Sequence, residues 1–318
     1  MNSDSNFGIS RRQMLAGVGS VALLGLSPGI RSLLAAEPAS APAKPAKRFK
    51  VAGDDLFINN YRQSLKAFPV AQKAGLDGIQ VDMGRMPGGK ELINNLRQPE
   101  VRQQFMDASR NSGVEICSLA WFAMYARVFP DLPVAVAITE EWVDTMVKMN
   151  VKMGYMPLMT KDGTLAEPEH ADVWKRTVEI YKKVAPQAEK AGVIMGVESN
   201  LDADGYKKFL DAVGSPAVKA FYNPGVGLEN KFDVYQDIRS LGKDRICALH
   251  LEQGSVPPDT FERRLGDGLI DFKKLRDALM EIEWGGWMSI ARSRLKGTTS
   301  ADTNMSANAK FVHEMFPE

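Results

Sequence analysis

The chain has 318 residues, 44% of them hydrophobic and 25% charged, with a formal net charge of +1; that composition is globular and excludes a disordered or fibrous chain. Residues 1–47 carry Arg11, Arg12, Arg31, Lys44 and Lys47 against Asp4 and Glu37, so their net is +3 and the remainder sits near −2. A body so close to neutral has no broad basic face for nucleic acid and no polybasic patch for a membrane surface.

In chain order, Ser10-Arg11-Arg12-Gln13-Met14-Leu15 opens an apolar stretch that runs from Met14 to Leu26, and Leu33-Leu34-Ala35-Ala36 follows. Paired arginines ahead of a short apolar segment and small residues resemble a twin-arginine export signal. The run is broken at Ser27-Pro28 and is too short to span a bilayer, so no stable membrane anchor is expected. Residues 1–36 therefore read as the signal, with cleavage after Ala36 or Ala41 both open. Residues 37–47, rich in Pro and Ala, read as a linker, and 48–318 as the domain. The expected location is periplasmic or secreted. Gly17-Val18-Gly19-Ser20-Val21-Ala22 imitates a dinucleotide-binding glycine pattern, but no strand precedes it. Twin-arginine signals carry folded proteins, which suits a bound metal or a homo-oligomer without requiring either.

Beyond residue 48 short apolar runs alternate with longer amphipathic ones, the pattern of a parallel sheet with helical crossovers. Strands are predicted at Phe49–Ala52, Gly78–Met83, Glu115–Trp121, Tyr155–Thr160, Val193–Ser199, Val218–Asn223, Ile246–Glu252 and Trp287–Arg292. Helical patterns include Val101–Asn111, Glu140–Met149 and Val173–Lys190, with a last helix over Met305–Phe316. Ala74-Gly75, Ser112-Gly113, Met153-Gly154 and Ala191-Gly192 mark helix ends, and Asp204 and Asp271 stand where N-caps belong. Eight units of roughly 30 residues fit a closed (β/α)8 barrel better than an open sheet. Cys117 and Cys247 fall in the third and seventh strands, too far apart around a barrel for a disulfide, and read as buried small hydrophobes.

In such a barrel the chemistry sits at the C-terminal ends of the strands. Here strand two ends Gln80-Val81-Asp82, strand five Gly196-Val197-Glu198-Ser199-Asn200, strand six Phe221-Tyr222-Asn223-Pro224-Gly225, and strand seven His250-Leu251-Glu252-Gln253. A carboxylate or imidazole at the tip of a buried strand loses hydration and needs a partner or a use. Period-two alternation puts Gly196 beneath Glu198 and Ala248 beneath His250, small residues under a crowded site. The cluster suits a divalent metal or a polyol. Glu198 and His250 are the catalytic candidates, and Asp82, Trp121, Tyr222, Glu252 and Arg292 the substrate-binding ones. Trp121, Tyr125 and Tyr222 have faces on which a sugar could stack, and equally read as barrel packing. His170 reads as an exposed helix entrance.

These strand ends, with Leu265-Gly266-Asp267-Gly268-Leu269-Ile270-Asp271-Phe272 and Trp284-Gly285-Gly286-Trp287-Met288-Ser289-Ile290, resemble the sugar phosphate isomerase/epimerase group of xylose isomerase-like TIM barrels over nearly the whole domain. The resemblance implies an α/β parallel barrel. It also implies a divalent metal (Mn, Mg, Zn or Co) held by glutamate, aspartate, histidine and a second glutamate from strands five to eight, and a small carbohydrate as ligand. By position the first glutamate is Glu198 and the histidine His250, but Asn223 stands for the aspartate and Ala291 for the second glutamate. The metal set thus shrinks to Glu198, Asn223 and His250, a weakened site whose metal is absent or loosely held. Arg292 and Arg294 suit a carboxylate or phosphate ligand.

Three functions stay open on this reading. The first is a sugar isomerase or epimerase, with Asp82 or Glu252 as replacement ligand. The second is a lyase or hydratase on an oxidised sugar, and the third a non-catalytic exported carbohydrate-binding protein.

Overall fold

A computed structural model describes residues 48–56, 58, 61–87, 91–159, 165, 168–253, 264–291 and 301–317. The leader, the linker, Arg292 and Arg294 lie outside the described residues. Eight parallel strands close into a barrel in chain order. They are β1 (Phe49–Asp54), β2 (Gly78–Asp82), β3 (Glu115–Ala120), β4 (Met153–Pro157), β5 (Ile194–Glu198), β6 (Val218–Tyr222), β7 (Ile246–Leu251) and β8 (Gly286–Ile290). The ring closes where β1 pairs with β8, Phe49 opposite Gly286 and Gly53 opposite Ile290. Each expected strand is present. β1 runs two residues past its expected end at Ala52, which brings Asp54 into the sheet, and β4 starts two residues earlier.

The crossovers are α1 (Ala67–Ala74), α2 (Pro99–Ser112), α3 (Ala135–Met149), α4 (Ala171–Ala191), α5 (Ala203–Val213), α6 (Pro224–Glu229), α7 (Val234–Leu241), α8 (Phe272–Glu281) and α9 (Ala301–Met315). Among the described residues no helix is long and apolar enough to cross a membrane. Gly75, Gly113 and Gly192 cap their helices in the left-handed region, at φ of 78°, 71° and 64°. At α3 that place is taken by Asn150, φ 53°, in place of the expected Gly154. Asp271 caps α8, its Oδ1 accepting the Lys273 and Lys274 N–H groups. The cap of α5 is Asp202, whose Oδ1 accepts the Gly205 N–H at 2.8 Å, and Asp204 stands exposed in the first turn.

Alternation along each strand sorts side chains between two cores. Outward residues such as Val51, Val81, Leu119, Val197, Leu249 and Met288 meet the helices in one large apolar cluster. A smaller inner cluster joins Ala120, Phe122, Met153, Tyr155, Phe221 and Ala248. Cys117 is buried, Cys247 partly so, and both are free; burial pushes the Cys247 thiol up to about 12, which leaves it inert.

Two glycines are fixed by close approach. Gly154 lies under the Trp142 indole, where an added Cβ would come within 2.2 Å of the ring, and that indole donates to the Leu119 carbonyl at 2.9 Å. Gly196, beneath Glu198, has no room either: a Cβ would stand 2.5 Å from the Gly154 carbonyl oxygen and 3.0 Å from Phe221. Backbone on one side leaves little that can yield. Gly196→Ala is expected to lower stability by about 1–3 kcal/mol in urea unfolding; a loss below about 0.5 kcal/mol would show that the inner layer is looser than these contacts require.

Candidate active site at the barrel mouth

The centre of the mouth is His250, the second-last residue of β7, with no solvent exposure. Its Nδ1 lies 2.7 Å from Glu198 Oε2 at the end of β5, and its Nε2 lies 2.9 Å from Asp54 Oδ2 at the end of β1. Both neighbours are fully buried carboxylates. Carboxylate oxygens only accept, so an imidazole that serves both must carry a proton on each nitrogen. Burial by itself would lower the His250 pKa; the charges of Asp54 and Glu198, with their hydrogen bonds, outweigh it and raise the pKa well above 6.5. His250 is therefore an imidazolium held between two carboxyl groups, packed on the Tyr155 ring at 4.8 Å between centroids.

Each flanking carboxylate is further held. Asp54 Oδ1 accepts the Gln80 amide at 2.6 Å and the Ser289 hydroxyl at 2.8 Å, and the Ser118 hydroxyl in turn donates to Gln80 Oε1. Glu198 Oε1 accepts the Tyr125 hydroxyl at 2.9 Å, and the Tyr155 hydroxyl sits against that of Tyr125. Burial, then the Glu198 charge, raises both phenols well above 10, so they remain donors.

Asn223 completes the centre by a local rule. It caps α6, its Oδ1 accepting the Gly225 and Val226 N–H groups at 3.0 and 3.2 Å. With the oxygen turned to the helix, the amide nitrogen must face the site. There it donates to Glu198 Oε2 at 3.1 Å and to Glu252 Oε1 at 3.2 Å. One amide thus bridges two carboxylates. Gly225 lets the chain pass: a Cβ there would be 2.4 Å from the Glu252 carbonyl oxygen.

Glu198, His250, Asn223 and Glu252, all singled out in sequence, are thus in one network. Asp82 stands on the rim of the same mouth, its Oδ2 3.2 Å from Arg62 and its Oδ1 accepting the Gly84 N–H. Burial is the main cause that raises the Asp82 pKa to about 7. Tyr222 is placed differently from the sequence expectation. It points out of the barrel, with its hydroxyl on Asp237 of α7 at 2.9 Å, because β6 turns Phe221 and Asn223 inward. Trp121 is fully buried in the outer core, where its indole N–H has no partner among the described residues. Ala291 is buried and extends β8, its N–H on the Leu251 carbonyl at 3.0 Å. Gln253, 3% exposed, has neither amide atom partnered among the described residues.

Asp54, Gln80, Ser118, Tyr155 and Ser289 were not foreseen. Asp54 carried a signal, since Asp54-Asp55 follows an apolar run just as Glu198 does. The others are small polar or aromatic residues inside strands, and only closure of the ring gives them partners.

The donor set does not fit the divalent metal that the sequence resemblance implies. Both His250 nitrogens are committed to carboxylates, the Asn223 oxygen is committed to backbone N–H groups, and Ala291 offers a methyl. A ligating imidazole needs one nitrogen deprotonated and free. Among the described residues no group of three or more His, Cys, Asp or Glu side chains is arranged to hold a metal ion.

Solved structures of the same shape include a D-allulose 3-epimerase from Methylomonas sp., at 16% identity and a TM-score of 0.64, covering 85% of this chain and 99% of that one. A D-psicose 3-epimerase matches at 14% identity and TM-score 0.66, over 85% of this chain and 100% of that one. A 3-keto-D-glucoside 4-epimerase from E. coli matches at 14% identity and TM-score 0.63, over 83% and 99%. At such identity these likenesses show the fold. No curated protein matches the chain. The model of the xylose isomerase-like TIM barrel family matches residues 68–314, and the chain belongs to that family.

Proposed function

We propose that the protein is a sugar epimerase or isomerase-like enzyme that moves a proton on a carbon next to a carbonyl, without a metal, at the mouth formed by Glu198, Asn223 and Glu252. The observation that carries this reading is the Asn223 amide nitrogen within hydrogen-bonding distance of both glutamates, 3.1 and 3.2 Å. Epimerisation of a keto-sugar takes a proton from the carbon beside the carbonyl, sends the electron pair to the carbonyl oxygen, and returns a proton to the other face of the same carbon as the carbonyl reforms. That requires two proton carriers and a donor for the developing oxyanion.

Glu252, 8% exposed at the rim, takes the part that the missing carboxylate at position 291 cannot, and Glu198 is the other carrier. The Asn223 amide and the Tyr125 hydroxyl, which donate to the two glutamates here, turn in this proposal to the oxyanion as it forms. His250 acts by position: with both nitrogens occupied it holds Glu198 in orientation. This differs from the acid–base part expected of it in sequence. The twin-arginine motif at Arg11-Arg12 supports action outside the cytoplasm, on small carbohydrates reaching that compartment.

The test is proton exchange. In D2O, neutral and acidic keto-sugars are expected to gain deuterium beside the carbonyl, followed by NMR. EDTA should leave the rate unchanged. Glu198→Gln and Glu252→Gln should each lower it by about 100-fold or more. Sugars that stabilise the protein thermally yet never exchange would leave a binding protein. Loss of exchange in EDTA with recovery in Mn2+ would overturn the metal-free centre.

A further inference from the structure

A cavity of about 290 Å3 opens beside the centre, lined by Arg62, Gln63, Asp82, Gly84, Arg85 and Asn95. It is small for a ligand pocket, of a size for a charged headgroup and part of one sugar ring. Its floor is the end of β2. Part of its wall is Arg85 and Ile93, which exchange backbone hydrogen bonds at 3.1 and 2.9 Å. Gly84 makes this approach feasible, with φ at 124° and an added Cβ only 2.2 Å from the Ile93 carbonyl oxygen.

The charged groups of this cavity are two guanidiniums, Arg62 and Arg85, against the one carboxylate of Asp82. Gln63 is used on both sides, its amide nitrogen on Asn94 and its oxygen on the Asn95 N–H. Asp82 Oδ2 faces Arg62 and its Oδ1 accepts the Gly84 N–H. Among the described residues Arg62 has one side-chain hydrogen-bond partner, Asp82 at 3.2 Å, and Arg85 has no ion-pair partner. A guanidinium has five N–H donors and no acceptor. A neutral polyol needs donors and acceptors in similar number, whereas a carboxylate or phosphate offers acceptors alone and matches the planar fork.

We propose that the Arg62–Arg85 cavity is a subsite for an anionic group, a carboxylate or phosphate, carried by the sugar substrate. The site is joined to the reaction centre. Asp82 follows Gln80 on the same face of β2, and Gln80 holds Asp54, which holds His250. In this proposal a substrate with its anion between the two arginines turns its reacting end toward Glu198 and Glu252. The proposal rests on the functional reading for what happens at that far end, and on the cavity alone for binding.

Binding to the full-length protein tests it without turnover. By calorimetry at low salt, glucuronate and glucose 6-phosphate are compared with glucose. At least one anionic sugar should bind about tenfold or more tightly than glucose. Whichever of the two binds better identifies carboxylate or phosphate as the headgroup. Arg85→Gln should remove that preference, and Arg85→Lys should restore part of it. Arg85 is the residue of choice because it is exposed, whereas removal of Arg62 would leave buried Asp82 without its ion pair. Glu198→Gln should keep the preference even if it abolishes exchange, so the two readings fail separately. Equal binding of charged and neutral sugars, or a preference that survives Arg85→Gln in a folded protein, overturns the subsite.

Discussion

The mouth of this barrel depends on one charged imidazole between two buried carboxylates. Taking three ions out of water costs several kcal/mol for each, and only close geometry with every remaining lone pair satisfied offsets it. Asp54 and Glu198 meet that condition, the first through Gln80 and Ser289, the second through Tyr125 and Asn223. The cluster takes residues from β1, β2, β5, β7 and β8, so the ring must be closed for it to exist. It also ties the ring together, since losing one partner would leave a buried charge uncompensated, at a cost of about 3–5 kcal/mol.

The same constraint explains how two departures from the expected ligand set belong together. An aspartate at position 223 would bring a further negative charge against Glu198 and Glu252, tolerable only with a cation among them. Asparagine keeps the oxygen that caps α6 and replaces the other oxygen with a donor. The amide then does for the two glutamates part of what a cation would do. With that bridge made by protein, a carboxylate at position 291 has no cation to share, and alanine fills the place. The further cavity adds positive charge at the rim, on Arg62 and Arg85, to the one imidazolium at the centre.

Much of this was legible in the chain. The eight strands could be read because each apolar run is short and ends in turn residues or in a polar tip, and because crossovers alternate with strands at a steady spacing. Glu198, Asn223, His250 and Glu252 could be read because polar residues at buried strand ends demand partners. Their mutual arrangement could not. The sequence resemblance pointed to His250 as a metal ligand, and nothing local reveals that Asp54, roughly 200 residues earlier, reaches its second nitrogen. Tyr222 misled for a related reason: one residue of shift along a strand exchanges the inside of the barrel for the outside. Asp204 misled by two residues because Asp202 offers the same capping oxygen nearer the first turn.

The central claim is the protonation state of His250, and nitrogen NMR of the imidazole reads it directly. Near pH 7.5, above the ordinary histidine value of 6.5, both ring nitrogens should carry protons, each coupled to a carboxylate oxygen, and added Mn2+ or Zn2+ should leave the signals in place. A neutral ring with one bare nitrogen at that pH, or a nitrogen that shifts on binding stoichiometric metal, would contradict the account.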